Sequence, residues 1–181
     1  MDLVFTFDQL FKFMQEITKT HFYNIGVSYI KADAKTRGKF SLSKQNQVAL
    51  LEMAKAKDFD GVFVLSTCNR TEICGFAEHP FQLIQLLCHF SEGSVEEFAS
   101  ISNVYKNQEA VDHLFRMGTG LESQILGDYE IVGQLRQSFK LAKLHNTTNG
   151  YLERLINSVL QASKRVKNET KLSSGTTSVS Y

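Results

Sequence analysis

The sequence predicts an α+β protein: a small, mainly antiparallel sheet packed with helices, followed by the start of a long C-terminal helix. Short apolar runs rich in β-branched and aromatic residues occur at 22–30, 62–65 and 73–76, and such runs are typical of buried strands. Helical stripes preceded by capping residues surround them. Residues 150–170 carry an apolar seam at alternating three- and four-residue spacing, which predicts the protruding final helix. We expect the other helices to cover mostly one face of the sheet.

Composition limits the class of protein. The chain has 181 residues and is 43% hydrophobic, which suits one globular domain with an appendage. Its net charge of +1 does not indicate a nucleic-acid binder by bulk charge. No apolar run approaches the ~20 residues of a membrane span, and the acidic start is unlike a secretory signal. Three cysteines, an odd number without an export signal, predict reduced thiols and a cytoplasmic location.

The first half of the chain contains predicted elements on both sides of the first strand. A helical extension is expected over residues 1–20 because four apolar residues there have helical spacing. That stripe is Leu10, Phe11, Met14 and Ile17. The polar stretch 31–39 predicts a loop, and Ser43 is suited to cap a helix that runs to about Lys57. The two core strands that follow are joined by the polar segment 66–72.

The second half is predicted to be mainly helical. Its elements are a buried helix begun by Pro80, a short strand at 104–105, a helix capped by Asn107, a glycine-rich loop at 118–127, a helix capped by Asp128, and a linker at 146–150. Proline suits a first helical turn because it has no N–H to leave unpaired. Asn and Asp side chains accept hydrogen bonds from the free N–H groups of a helix start. The stretch 95–99 favours neither helix nor strand.

Cys68 is the strongest candidate for chemistry. It lies in the polar connection between two core strands, with Arg70 two residues further on. A thiol beside a fixed cation loses its proton readily and becomes a nucleophile. The alternative is a free cysteine that packs as a small hydrophobe, which suits Cys74 and Cys88 within their apolar runs. The spacing of the cysteines and His79 matches no zinc pattern, so we expect no metal site.

Arg70 and His113 each admit more than one interpretation. Arg70 can bind a substrate carboxylate, lower the pKa of Cys68, or bridge to Glu72 at the surface, and the residues alone favour the surface bridge. His113 lies on the flank of an apolar helix stripe, where a histidine is usually solvated. It is nevertheless the best placed of the five histidines to exchange a proton with a thiol near neutral pH, because the glycine-rich loop follows it closely.

Two long motifs then identify a family. Residues 66–73 (STCNRTEI) and 113–127 (HLFRMGTGLESQILG) resemble glutamyl-tRNA reductase, the first committed enzyme of tetrapyrrole synthesis in plants and most bacteria. The helix start 131–134 (IVGQ) and the first-strand sequence 24–28 (NIGVS) are similar to the same family. The resemblance covers nearly all the chain from Tyr23 onwards.

The resemblance implies a covalent mechanism. Cys68 would attack the ester carbon that joins glutamate to its tRNA, and the tRNA would leave. NADPH would then reduce the thioester to glutamate-1-semialdehyde. The family's glutamate-recognition residues correspond to Thr67, Arg70 and Ser123, and its motif histidine corresponds to His113 as a second catalytic residue. On this basis, binding of a carboxylate by Arg70 outranks the surface bridge.

The resemblance also implies a domain order. Residues 21–147 would be the catalytic glutamate-recognition domain, 150–170 the start of the spinal helix, and 171–181 the truncated approach to an NADPH domain that is missing. Gly118 and Gly120 follow a predicted helix rather than a strand and form no dinucleotide fingerprint. We therefore expect the acyl-transfer half of the reaction only. Family membership further implies glutamyl-tRNA as partner, a homodimer of the full-length protein, glutamate-1-semialdehyde aminomutase as a channelling partner, and no membrane.

The chain departs from the family at three places. The family's His-Lys-Thr-Ala-Pro run is replaced by 29–33 (YIKAD), its Gly-Glu pair ends in Asp128, and Tyr129 stands where glutamine or proline is common. Two other functions stay open. One is a tRNA- or protein-binding module that kept the fold without the chemistry, with binding carried by the basic C-terminal helix. The other is a hydrolase that forms thioesters with small acyl esters.

Overall fold

The computed structural model describes residues 20–170. Four strands form one sheet in the order β2-β3-β1-β4, and every neighbouring pair is antiparallel. The strands are β1 (His21–Ser28), β2 (Val62–Ser66), β3 (Arg70–Ala77) and β4 (Asn103–Lys106). The predicted α+β class is confirmed. The predicted N-terminal helix and the predicted approach to a further domain lie outside the described residues.

Seven helices belong to the described part. They are α1 (Ala34–Lys39), α2 (Lys44–Ala56), α3 (Pro80–Cys88), α4 (Val95–Ile101), α5 (Gln108–Gly118), α6 (Glu130–Leu144) and α7 (Gly150–Glu169). Several starts agree with the sequence, because the Ser43 hydroxyl accepts a hydrogen bond from the Asn46 N–H and Pro80 opens α3. None of these helices has both the length and the apolar composition that crossing a bilayer requires.

Helices cover both faces of the sheet, so the prediction that they pack mostly on one face is wrong. The ring of Phe63 on β2 lies edge-on to Phe139 of α6, with centroids 5.8 Å apart. Ser66, which points to the opposite face by strand alternation, accepts a hydrogen bond from the Leu42 N–H before α2. Burial on both faces explains why β2 is apolar at successive positions rather than at alternate ones.

Two segments that the sequence predicts as irregular are ordered in specific ways. The predicted loop 31–39 contains α1, which begins where the Asp33 carboxylate accepts a hydrogen bond from the Thr36 N–H at 2.7 Å. The predicted linker 146–150 is fixed to the sheet: the buried Thr147 hydroxyl donates to the Val62 carbonyl at 2.8 Å. The loop prediction for 31–39 is therefore wrong, whereas the linker prediction is confirmed, because residues 147–149 join α6 to α7 without regular structure. Polar composition alone does not reveal such side-chain hydrogen bonds. The ambiguous stretch 95–99 lies in α4.

The final helix packs along its first half. The buried residues of α7 are Leu152, Leu155, Ile156, Val159 and Ser163, and this face contacts α5 and α6. The seam therefore packs the final helix against the same core as the sheet, not against a separate body. Beyond Ser163 the side chains are mostly exposed, including the basic Lys164, Arg165 and Lys167.

Candidate active site at the β2–β3 hairpin

Cys68 lies at the tip of a tight hairpin. Ser66 pairs with Thr71 in the ladder, and the Thr67 N–H donates to the Arg70 carbonyl at 2.8 Å. Only Cys68 and Asn69 remain between these closing residues. The second core strand therefore begins at Arg70, and the predicted polar connection 66–72 is much shorter than its composition suggests.

Polar contacts hold this hairpin in place. Neither Cys68 nor Asn69 has a positive φ. The loop is therefore not a type I′ or II′ turn, the turns most common in two-residue hairpins. Instead the Thr67 hydroxyl accepts hydrogen bonds from the Asn69 and Arg70 N–H groups, each at 3.2 Å. The Tyr29 N–H donates to the Asn69 carbonyl at 2.9 Å from the end of β1. The backbone around Cys68 is thus supported from both sides.

Cys68 is the exposed thiol among the three cysteines. Cys74 and Cys88 are buried, as the sequence predicts. Burial raises the pKa of the Cys74 thiol, and burial raises that of Cys88 to about 11. Buried, protonated thiols are poor nucleophiles, so Cys68 is the cysteine available to a reactant from solvent.

Cys68 opens into a small cavity formed by three segments. The hairpin contributes Thr67, Cys68, Asn69 and Arg70, the loop after α5 contributes Ser123 and Gln124, and the start of α6 contributes Asp128, Glu130, Ile131 and Gln134. Four of the five predicted site residues therefore share this cavity, and His113 does not line it. Sequence reasoning missed Asn69, Gln124, Asp128 and Glu130 as lining residues; their position beside the quoted motifs was the available signal.

A larger cavity of about 670 Å³ lies at the other end of β3, beside Ala77 and Glu78. No cysteine lines it. The small cavity is the better candidate for chemistry because it contains the exposed nucleophile together with charged and hydroxyl side chains.

Arg70 is buried and bound to one carboxylate and one backbone carbonyl. Its Nη1 donates to Glu72 Oε1 at 2.9 Å, and its Nη2 donates to the backbone carbonyl of Glu122. The sequence favoured a bridge to Glu72 at the surface. The partner is right and the location is wrong, since both side chains are less than 5% exposed. The other N–H groups of the guanidinium make no hydrogen bond to a described residue, and Arg70 lines the cavity.

His113 is buried between two carboxylates, which corrects the expectation that a histidine on this flank is solvated. Its Nε2 lies 3.0 Å from Glu72 Oε2, and its Nδ1 forms an ion pair of 2.8 Å with Glu122 Oε2. The ring of Tyr105 stacks on the imidazole with centroids 4.4 Å apart. Glu72 also accepts from the Asn24 amide at 3.1 Å. We call His113, Glu72, Arg70 and Glu122 the buried charge cluster.

The ionisation of this cluster follows from its contacts. Burial alone would raise the pKa of Glu72, but the positive charges of His113 and Arg70 and the hydrogen bonds from His113 and Asn24 lower it to about 2. Burial alone would lower the pKa of His113, but Glu72 and Glu122 raise it to about 9. The imidazole is therefore an imidazolium near neutral pH, held by two carboxylates.

The cluster anchors the loop that brings Ser123 to Cys68. Glu122 in this loop binds His113 through its side chain and Arg70 through its carbonyl. The loop closes on itself at two glycines, where the Gly127 N–H donates to the Gly120 carbonyl at 3.1 Å. Gly120 has a φ of +78°, and a Cβ there would meet the Gly127 Cα at 3.1 Å, so both positions favour glycine.

The start of α6 places two carboxylates beside the cavity. Asp128 is predicted to cap this helix, but the N-cap is Tyr129, which makes no side-chain cap hydrogen bond. Asp128 lies one residue earlier, and its side chain accepts a hydrogen bond from the Glu130 N–H at 2.9 Å. Tyr129, a departure from the family pattern, does not line the cavity; its ring lies under the Lys167 ammonium, 4.7 Å away. Asp128 and Glu130 face the same space as Cys68.

The described residues do not fit a nicotinamide dinucleotide. A dinucleotide-binding unit needs parallel strands joined by a helix with a glycine-rich first turn. All neighbouring strands of residues 20–170 are antiparallel, and Gly118 and Gly120 follow α5 rather than a strand. No hydride-transfer step is derived from these residues.

Comparison with known proteins gives one consistent family. The family described as "Glutamyl-tRNAGlu reductase, N-terminal domain" matches residues 25–170. The chain is 58% identical over 161 residues to a glutamyl-tRNA reductase of Christiangramia forsetii, covering 89% of this chain and 38% of that protein. It is 57% identical over 160 residues to the enzyme of Flavobacterium psychrophilum, covering 88% and 39%.

A solved structure shares the fold. The glutamyl-tRNA reductase from Methanopyrus kandleri superposes with a TM-score of 0.72 at 24% identity, over 87% of this chain and 37% of that one. At this identity the likeness concerns the fold alone. The chain spans less than two fifths of the length of the curated relatives named above.

Proposed function

The chain belongs to the glutamyl-tRNA reductase N-terminal domain family, and from that premise we propose that it accepts the glutamyl group of glutamyl-tRNA as a thioester on Cys68. The observation that carries this proposal is the exposed thiol at the hairpin tip, sharing a cavity with Arg70 and Ser123. A covalent acyl intermediate divides one difficult step into two easier ones, which is the usual advantage of a cysteine nucleophile.

The proposed step is an acyl transfer. The Cys68 sulfur attacks the carbonyl carbon of the ester, a C–S bond forms, and the C–O bond to the terminal ribose breaks. The thiol proton ends on the departing ribose oxygen, so the products are the glutamyl thioester and tRNA with a free hydroxyl. Thr67, whose hydroxyl holds the hairpin through the Asn69 and Arg70 N–H groups, keeps the sulfur in place for this attack.

The cavity has charges of both signs that suit a glutamyl group. Glutamate esterified at its α-carboxyl carries an ammonium and a side-chain carboxylate. We assign the carboxylate to the free N–H groups of Arg70, with the Ser123 hydroxyl beside it, and the ammonium to Asp128 and Glu130. Glu72 binds both Arg70 and His113. It therefore orients the Arg70 guanidinium but compensates only part of its positive charge.

For His113 we propose a positioning role in addition to the predicted catalytic one. Both ring nitrogens face carboxylates, and the side chain does not line the cavity. Its contacts join Glu72, which orients Arg70, to Glu122, which precedes Ser123. An imidazolium in this place fixes the two parts of the glutamate site relative to each other. The prediction that it also exchanges a proton with the thiol stays a prediction.

We propose the complete reaction only for a full-length enzyme, like the relatives that are longer than this chain. In that proposal the thioester is reduced to glutamate-1-semialdehyde for tetrapyrrole synthesis in the cytoplasm, by a homodimeric enzyme that passes its product to an aminomutase. Reduction requires hydride from NADPH, for which residues 20–170 offer no site. We therefore assign acyl transfer, and no reduction step, to residues 20–170.

A single-turnover experiment tests the assignment. The chain is mixed with tRNA carrying labelled glutamate, and the reaction is stopped in acid, which preserves thioesters. We expect label on the protein, no label on Cys68→Ser, and normal labelling of the matched control Cys88→Ala. Equal labelling of wild type and Cys68→Ser would overturn the nucleophile. A module that kept only binding would retain tRNA in a strongly salt-dependent way with no label at all.

A further inference from the structure

A second cavity adjoins the Cys68 cavity. It has a volume of about 420 Å³ and is lined by residues 29–33, Arg37 and Gln124. We call it the Tyr29 cavity. Gln124 lines both cavities, so the two are neighbours. The Tyr29 cavity is a wide depression open to solvent rather than an enclosed pocket.

The wall of the Tyr29 cavity is attached to the backbone that carries the nucleophile. The Tyr29 N–H donates to the Asn69 carbonyl at 2.9 Å, and Arg37 Nε lies 3.5 Å from the Cys68 carbonyl. When Cys68 attacks the carbonyl carbon of an ester, the alcohol part of the ester can therefore lie next to the Tyr29 cavity. The space beside Arg70 and Ser123 is the one that we assign to glutamate.

The side chains of the Tyr29 cavity suit a nucleotide. Lys31 and Arg37 form no ion pair with a described carboxylate, and Arg37 Nη1 donates only to the uncharged Ala32 carbonyl at 2.6 Å. Asp33 is the one acidic lining residue, so two cations oppose one anion. Such a surplus attracts a phosphodiester. The Tyr29 ring and the Ile30 side chain, which is 67% exposed, offer surfaces on which a base can stack.

We propose that the Tyr29 cavity binds the 3′-terminal nucleotide of the aminoacyl-tRNA, with Lys31 and Arg37 on its phosphate and Tyr29 against its base. This inference rests on the proposed function, because the ester under attack joins glutamate to the ribose of that nucleotide. The ribose is then held between the two cavities, beside Gln124. Single-stranded ends are the parts of an RNA that proteins recognise by such stacking and phosphate contacts.

The test compares two acyl donors on the same thiol. One is glutamyl-tRNA, and the other is a small activated glutamyl ester that lacks any nucleotide. The variants are Lys31→Ala and Tyr29→Ala. The matched control is Lys57→Ala, because Lys57 follows α2 and lines the separate cavity of about 670 Å³. Arg37→Ala is left out because Arg37 also contacts the Cys68 carbonyl.

We expect Lys31→Ala and Tyr29→Ala to lower the ratio of the acylation rate constants, glutamyl-tRNA over small ester, by roughly 5- to 100-fold. Lys31→Ala should also reduce the slope of log rate against log salt by about 0.7, the value for one single-strand phosphate. Lys57→Ala should leave the ratio unchanged. A trinucleotide with the sequence of the tRNA 3′ end should compete with glutamyl-tRNA.

Several results would overturn the inference. An unchanged ratio in both variants would show that the cavity does not touch the tRNA. Competition by NADPH but not by the trinucleotide would assign the cavity to a different nucleotide. Failure of the proposed function itself is distinct, because wild-type Cys68 would then be acylated by neither donor.

Discussion

His113 Nε2 and Glu72 Oε2 lie 3.0 Å apart in the interior of the protein, although 41 residues separate them in the chain. This contact joins α5 to the central strand β3 and makes Glu72 the shared partner of an imidazolium and a guanidinium. Removal of one member of a buried ion pair typically costs about 3–5 kcal/mol, because the remaining charge is left uncompensated. The geometry of the candidate site therefore depends on His113 and Glu72, neither of which lines the Cys68 cavity.

The buried charge cluster predicts a specific pH dependence of stability. The folded-state pKa of His113, about 9, lies above its ordinary 6.5, so its contribution is complete below pH 6.5 and lost as pH rises through 9. The folded-state pKa of Glu72, about 2, lies below its ordinary 4.5, so its contribution is complete above pH 4.5 and lost as pH falls towards 2. We expect maximal stability at about pH 4.5–6.5, measured as the free energy of urea unfolding.

His113→Gln should abolish the fall in unfolding free energy that the wild-type protein shows as pH rises from 6.5 through about 9. The variant should lose on the order of 3 kcal/mol at pH 6 and much less at pH 9.5, where the wild-type histidine is largely neutral. The exposed His89 provides a control, since His89→Gln should follow the wild-type profile. A constant difference between His113→Gln and wild type across this range would show that His113 is not charged in the fold.

If His113 acts by positioning, its substitution should weaken binding of glutamyl-tRNA without changing the reactivity of the Cys68 thiol. His113→Asn should leave the pH dependence of Cys68 alkylation by iodoacetamide unchanged, because His113 does not line its cavity. The same variant should raise the glutamyl-tRNA concentration needed for half-maximal acylation and speed amide exchange in residues 119–129. A displaced alkylation profile, with normal exchange, would instead support direct proton transfer to the thiol.

Gly26 should be intolerant of a side chain. It lies opposite Glu72 in the β1–β3 ladder, and an added Cβ would meet Glu72 Cγ at 2.5 Å and the Thr71 carbonyl at 2.6 Å. Because a backbone atom blocks the space, Gly26→Ala should destabilise the fold by roughly 1–3 kcal/mol. Gly133→Ala is the matched control: no side chain and no backbone outside its own part of the helix lies within 4 Å of its Cβ position. Alanine favours the α6 helix by up to about 1 kcal/mol. Thermal unfolding of both variants, with opposite signs expected, provides the check.

Local signals in the sequence were sufficient for much of the fold. Ser43 and Pro80 begin their helices as predicted, because capping and proline geometry depend only on near neighbours. The apolar run of β2 identified a buried strand, but it could not reveal that helices cover both of its faces. That coverage depends on contacts such as Phe63 with Phe139, which lie far apart in the chain.

The candidate site, like the fold, could be predicted only in part from local sequence signals. Cys68, Arg70, Thr67 and Ser123 were recognised from motifs, and they meet in one cavity. The burial of His113 was not predictable, since its partners Glu72 and Glu122 become neighbours only when α5 packs on the sheet. Arg70 and Glu72 lie on β3, although their polarity predicts a loop. They are buried there as an ion pair, and the sequence alone does not show that they bind each other.

Mass analysis of the acylated protein tests the central claim most directly. After brief exposure to glutamyl-tRNA and digestion at low pH, the peptide that contains Cys68 should gain the mass of one glutamyl group, and hydroxylamine should remove it. The peptides that contain Cys74 and Cys88 should be unchanged. An adduct on either buried cysteine, or none on Cys68 while the tRNA loses its glutamate, would contradict the account.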